Sequence, residues 1–146
     1  MAIILASKSP RRSELLKRMG LEFIVKASRI DEKMDPFAHP SDEVARVSLA
    51  KAQAVRKNCN PEDIIISADT IVVCDGLMMG KPRSESDAFS MLHRLSGRDH
   101  QVMTGLTVLG PERTENLTVT TTLRFRALSD TEIRNYIATG EPMDKA

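Results

Sequence analysis

The stretch Ser7-Lys-Ser-Pro-Arg-Arg12 crowds serine hydroxyls and guanidinium groups around the start of a predicted helix. Ser9 has the chemistry of an N-cap, and Pro10 suits the first helical position. Arg11 and Arg12 then fall in the first turn. Unpaired N–H groups and the helix dipole already make that end partly positive. Cations there have the wrong sign for the helix and the right sign for an anion. A helix N-terminus binds phosphate through its N–H groups. Guanidinium groups pair bidentately with phosphate oxygens, and Ser7 and Ser9 add hydroxyl donors. The chemistry indicated is phosphate binding. The competing interpretation is a solvated pair of arginines, each costing roughly a few tenths of a kcal/mol against the dipole.

Asp69 stands between the β-branched runs Ile64–Ser67 and Ile71–Cys74, where a buried strand has no use for a carboxylate. Such a charge needs a partner, a metal or a shifted pKa. Near bound phosphates it can hold Mg²⁺ or act as general base toward an attacking water. The alternative is that the strands break at Ala68 and Asp69 caps a turn. Lys51 lies on a helix face shared with Val44, Val47, Ala54 and Val55. Lys81 follows a hairpin and precedes Pro82. Both can reach phosphate as point charges, or snorkel to solvent. Glu32, in a loop, is a candidate metal ligand. His100 reads as a strand-end residue without a catalytic role. No Walker-type loop and no G-x-G-x-x-G occurs, which disfavours P-loop and Rossmann enzymes.

The elements that must position these groups are mixed in type. Ala2–Ala6 reads as a buried strand, and Pro10–Met19 as a helix ended by Gly20. Glu22–Val25 is a short strand and Arg29–Pro40 a loop. Ser41 is a candidate cap for a second helix, with Asp42 and Glu43 in its first turn, running to about Lys57. Asp75-Gly76 signals a hairpin turn returning through Leu77–Met79. Ser84 and Ser129 have the spacing of capping serines for two further helices. Strands His100–Leu109 and Leu117–Phe125 flank the polar loop Gly110–Asn116. In the second of these, Leu117, Val119, Thr121, Leu123 and Phe125 share one face at period two. Hairpins and crossovers together imply an α/β (α+β mixed) domain with a mixed sheet.

Length and charge narrow the function classes. At 146 residues the chain is one domain with a real core, and its net charge is +1. Nucleic-acid binding needs a broad basic face, so no nucleic-acid partner is expected. The first apolar run is too short for a signal peptide or a membrane span. Cys59 and Cys74 are the only cysteines, without metal-ligand spacing. Free thiols, a cytoplasmic location and no membrane association are expected.

Taken together, the segments resemble the Maf family of nucleotide pyrophosphatases. They are Ser7-Lys-Ser-Pro-Arg-Arg12 with Glu14-Leu-Leu, Asp31-Glu32, Ala50-Lys51-Ala52, Ser67-Ala-Asp-Thr70, Gly80-Lys-Pro82, Leu95-Ser-Gly97, His100-Gln-Val-Met-Thr-Gly105, and Tyr136-Ile-Ala-Thr-Gly-Glu141 with Asp144-Lys-Ala146. They occur in family order along the whole chain. The resemblance implies a fold of the Maf and inosine-triphosphate pyrophosphatase type: a long curved mixed sheet, flanking helices and a central cleft. It implies hydrolysis of a nucleoside triphosphate to the monophosphate and pyrophosphate with a divalent cation, Mg²⁺ or Mn²⁺. Arg11 and Thr70 match the branch that resembles dTTP/UTP pyrophosphatases. On this resemblance Asp69 is the proton acceptor, and Arg11 and Thr70 contribute to base choice. Ser7, Arg12, Lys51 and Lys81 hold the triphosphate, and Glu32 with Asp69 supports the metal.

The family pattern continues past Asp144-Lys-Ala146 with Gly-Ala-Tyr-Gly-Ile-Gln-Gly and further strands. The expectation is therefore a single Maf-like domain over residues 1–146 that lacks the C-terminal part of the family fold. An uncovered sheet edge would then favour a homodimer. The rival to an enzyme is a non-catalytic nucleotide-binding regulator of cell division.

Overall fold

The computed structural model describes all 146 residues. A run of apolar residues makes β1, Ile3–Leu5, which pairs in parallel with β2, Ile24–Val25, and with β3, Ile64–Cys74. Ile4 and Leu5 are buried, as a central parallel strand requires. The sheet has six strands in the order β2-β1-β3-β5-β6, with β5 at Asp99–Leu109 and β6 at Thr114–Arg124. β4, Leu77–Met79, pairs antiparallel with β3 off this path. The turn between them is Asp75-Gly76, both with positive φ, as a tight hairpin demands. The sheet is mixed, as expected.

Four α-helices complete the fold: α1 (Pro10–Arg18), α2 (Pro40–Arg56), α3 (Glu85–Leu95) and α4 (Asp130–Ala138). Ser9 caps α1, its hydroxyl accepting from the Arg12 N–H, with Pro10 at the first position. Ser84 and Ser129 cap α3 and α4 as their spacing predicts. α2 differs from expectation. Pro40, not Ser41, opens the helix, and His39 is an N-cap with no side-chain bond. Proline with its fixed φ starts the helix one residue before the serine that could have capped it.

Two points that the sequence left open are resolved. Ile64–Ser67 and Ile71–Cys74 are one continuous strand, with no break at Ala68. Period-two side chains on β6 do not face a core: Leu117, Val119 and Leu123 are exposed. β6 is the last strand in the sheet order, an edge. Cys59 and Cys74 are free thiols.

Contacts divide the chain into two compact units. The first comprises residues 1–69 and 104–119, the second residues 70–103 and 120–146. In the first, Ile4, Ala6, Ala52, Val55 and Ile65 form a core between β1, β3 and α2. In the second, Ala88, Ile133 and Ile137 pack α3 on α4. Val72, Cys74, Met79 and Leu95 make a second cluster there.

One glycine of the first unit has a steric role. A Cβ on Gly105 of β5 would lie 2.2 Å from the Val44 carbonyl oxygen of α2. The backbone of α2 thus rests directly on β5 at that point. Gly105→Ala must push the helix away or strain it, so it should destabilise the protein by about 1–3 kcal/mol. A urea melt comparing midpoints at constant slope checks this; an unchanged midpoint would disprove the close seating.

Candidate active site

The carboxyl end of β1 runs straight into Ser7 and the amino end of α1. In open α/β sheets the crevice outside the strand carboxyl ends receives ligands, and a helix N-terminus there receives anions. Ser7 is buried. Its hydroxyl accepts from the Ser9 N–H at 3.2 Å and from Arg12 Nη1 at 2.9 Å. The guanidinium is thereby folded back over the helix start instead of spreading into solvent. Burial lowers the Arg12 pKa, Asp69 opposes that shift, Arg11 adds to it, and Glu32 opposes it. Arg12 therefore feels both carboxylates expected at the site. Arg11, its neighbour, is exposed.

Asp69 lies inside β3 and is buried. The continuous strand removes the turn-cap interpretation. Lys51, also buried, projects from α2 toward it. Its Nζ donates to Asp69 Oδ1 at 3.0 Å and to the Ala68 carbonyl at 3.4 Å, and pairs with Glu32 Oε1 at 2.9 Å. An ammonium has three donors, and three acceptors surround this one. Lys51 does not snorkel to solvent.

Glu32 belongs to the loop ahead of α2, which two polar contacts tie to that helix. The Asp35 N–H donates to Glu43 Oε2 at 2.8 Å. Arg46, bonded to Glu43, also donates to the Lys33 carbonyl at 3.1 Å. The Arg46 side-chain bond, then the Asp35 N–H, holds the Glu43 carboxyl below its ordinary value. Lys33, held by this anchor, directly follows Glu32, which meets Lys51.

The first unit thus brings together Ser7 after β1, Arg12 of α1, Glu32 of a tethered loop, Lys51 of α2 and Asp69 of β3. Thr70 and Lys81 belong to the second unit. Thr70 follows Asp69 in β3, so its side chain points to the opposite face of the sheet. Lys81 pairs with Asp144 at 3.2 Å, both side chains exposed. His100 is buried against Phe125.

No group of three or more His, Cys, Asp or Glu side chains gathers anywhere in the structure. Glu32 and Asp69 are carboxylates meeting at one ammonium, and Mg²⁺ is commonly held by one or two carboxylates plus substrate phosphates. The residues fit such an ion in the presence of a polyphosphate. Two serines beside Lys51 and Asp69 were given no role from the sequence: Ser48, three residues before Lys51, and Ser67, two before Asp69, are fully buried. Their spacing, on the same faces as the charged residues, was the available signal.

The sequence profile described as Maf-like protein matches residues 2–146. A dTTP/UTP pyrophosphatase of Geotalea uraniireducens (strain Rf4) is 49% identical over 146 residues, spanning 99% of this chain and 75% of that protein. A dTTP/UTP pyrophosphatase of Vibrio parahaemolyticus is 42% identical, spanning 100% of this chain and 77% of its own length. Among solved structures, the Staphylococcus aureus Ham1 protein superposes with a TM-score of 0.51 at 18% identity, covering 88% of this chain and 72% of that one. That likeness concerns the fold. No helix is long and apolar enough to cross a membrane.

Glu43 supplies a pH test of the loop anchor. Its folded pKa lies below the ordinary 4.5. A depressed carboxyl stabilises the fold above its unfolded pKa and loses that contribution as pH falls through the folded value. Glu43→Gln should therefore lower Tm at pH 7, and the gap to the parent should close as pH drops below about 4.5. A gap that persists undiminished to the acid limit would disprove the anchor.

Proposed function

This chain belongs to the Maf family, and we propose that it is a nucleoside triphosphate pyrophosphatase acting on dTTP and UTP. The names of its relatives at 42% and 49% identity support the substrate class. The observation that carries the reaction is the buried Asp69 carboxylate held by Lys51 beside Arg12. Cations that bind polyphosphate meet a carboxylate that can take a proton.

In the proposed reaction a water oxygen attacks the α-phosphorus and passes a proton to Asp69. The bond from the α-phosphorus to the bridging oxygen of the β-phosphate breaks. Pyrophosphate leaves with that oxygen, and the nucleoside monophosphate remains. Arg12 and Ser7, with the α1 N-terminus, hold phosphate oxygens and offset their charge as it shifts toward the leaving group. Lys51 fixes the orientation of Asp69 and adds a compact positive charge. Arg11, exposed on the first turn, is available to contribute to base choice. The roles of Thr70 in base choice and Lys81 in phosphate binding rest on Maf membership alone.

Glu32 and Asp69 would hold the divalent cation, Mg²⁺ or Mn²⁺. When bound, that ion neutralises phosphate oxygens and polarises the centre under attack. The remaining work of binding, orienting and proton transfer falls to the protein.

A panel of nucleoside triphosphates with Mg²⁺ or Mn²⁺, products separated by chromatography, tests the activity. dTTP and UTP should yield monophosphate and pyrophosphate; orthophosphate as the product would overturn the cleavage position. Asp69→Asn should lower kcat by about 10²–10⁴-fold, the usual contribution of a general base. The substituted protein should still bind nucleotide in a calorimeter. Unchanged kcat in that variant would remove Asp69 from the chemistry.

A further inference from the structure

A directed chain of hydrogen bonds, running from exposed Asn116 into the buried interior, lies behind the Lys51–Asp69 pair. Asn116 Nδ2 donates to Thr107 Oγ1 at 2.8 Å and to the Ala45 carbonyl at 3.0 Å. Thr107 Oγ1 and Ser48 Oγ are 2.8 Å apart. Because Thr107 already accepts from Asn116, its own proton can go to Ser48. Ser48 is then left to donate to the Ser67 carbonyl, at 3.3 Å. Ser67 Oγ returns a bond to the Ser48 carbonyl at 2.6 Å. Ser48, Ser67 and Thr107 are all completely buried. Every hydroxyl has a partner, so the network rigidifies what it joins.

It joins α2 to β3 and β5 at one level. Ser48 precedes Lys51 by three residues, so both project from the same face of α2. Ser67 precedes Asp69 by two, so both project from the same face of β3. A reciprocal Ser48–Ser67 bond therefore sets the height of the helix along the strand, one turn before Lys51 must meet Asp69. A slide of α2 by one residue would move Lys51 by about 1.5 Å, enough to break a 3.0 Å contact. Apolar packing of Val44, Val47 and Val55 resists separation of helix and sheet and resists sliding much less, because hydrophobic attraction is non-directional.

We propose that Ser48, Ser67 and Thr107 are positioning residues, setting the register of α2 on β3 so that the Lys51 ammonium is delivered to Asp69. The inference deepens the pyrophosphatase reading and rests on it for its kinetic consequence. It concerns no atom of the substrate: the serines act only through Lys51 and Asp69.

Two substitutions test it, Ser67→Ala and Thr107→Val; the second keeps shape while removing the hydroxyl and serves where the first does not fold. Two readouts are taken on folded protein. Pyrophosphate release should show kcat lower by about tenfold with KM within twofold, a loss in scale with the penalty for misplacing a reacting group. Acetylation of Lys51 by acetic anhydride, followed by mass spectrometry without nucleotide, should run severalfold faster once the amine is no longer held. A network serving stability alone would lower Tm and move neither readout. Folded variants whose kcat and Lys51 labelling both stay within twofold of the parent would overturn the inference. If the parent releases no pyrophosphate at all, the functional proposal fails, and the labelling rate alone then decides the positioning role.

Discussion

A buried ammonium held between carboxylates is the interaction on which the structure of the site depends. Lys51 could not occupy a largely apolar, buried helix face unless its charge were met there, because desolvating it costs several kcal/mol. Asp69 has the same difficulty in a strand whose neighbours Ile65 and Ile71 are buried. Each residue is the condition for the other. The charge-assisted hydrogen bond between them exists only with donor and acceptor about 3 Å apart, so helix and strand must be placed closely. That requirement explains features that otherwise look unrelated: a glycine that lets α2 rest on β5, hydroxyls fully satisfied in the interior, and an acidic anchor that ties the preceding loop to α2.

Much of the fold was legible because local chemistry and global arrangement agree. Ser9, Ser84 and Ser129 cap the helices their spacing announces. Asp75-Gly76 makes the turn it signals. At the site, the two arginines of α1 were legible as an electrostatic contradiction that an anion resolves. Asp69 and Lys51 were legible as charges among apolar neighbours, but only as a question. Whether Asp69 capped a turn or stood in a strand depended on β1, whose Ile4 and Leu5 pair with Ile65 and Ile66 and hold that half of β3 extended. Residues far apart in sequence settle it. Ser48 was marked only by its spacing from Lys51 and Thr107 by nothing, since a buried hydroxyl looks in sequence like any small polar residue. β6 was legible as a strand but not in its surroundings: alternation at period two states that a face exists and says nothing of what covers it.

Evidence for fold and for chemistry comes from different places. The Ham1 protein shares the arrangement of sheet and helices at 18% identity, so the architecture survives nearly complete exchange of side chains. A fold on its own does not specify a reaction. Relatives above 40% identity supply the reaction class, and the geometry supplies a reason for it. Cations of the kind that suit phosphate and a carboxylate of restricted orientation occur within one unit, contributed by α1, α2 and β3. Neither source alone would justify assigning a proton to Asp69.

The two kinds of cation are not interchangeable in these positions. Arg12 is partly desolvated, and burial is the main influence lowering its pKa. A guanidinium begins so far above neutrality that it stays charged under such pressure, and its planar fork can serve Ser7 and a phosphate together. A lysine there would be more easily driven to its neutral form and would offer no flat, bidentate edge. Position 51 makes the reverse demand. Its acceptors are an aspartate oxygen, a glutamate oxygen and a backbone carbonyl, converging on a point instead of lying in a plane. A compact ammonium satisfies them; a guanidinium spreads its donors over a planar fork and does not present them from one atom. Arginine at the helix end and lysine behind it are thus assigned by shape as much as by charge. Exchanging them would leave the formal charge unaltered while removing the fit of each to its acceptors.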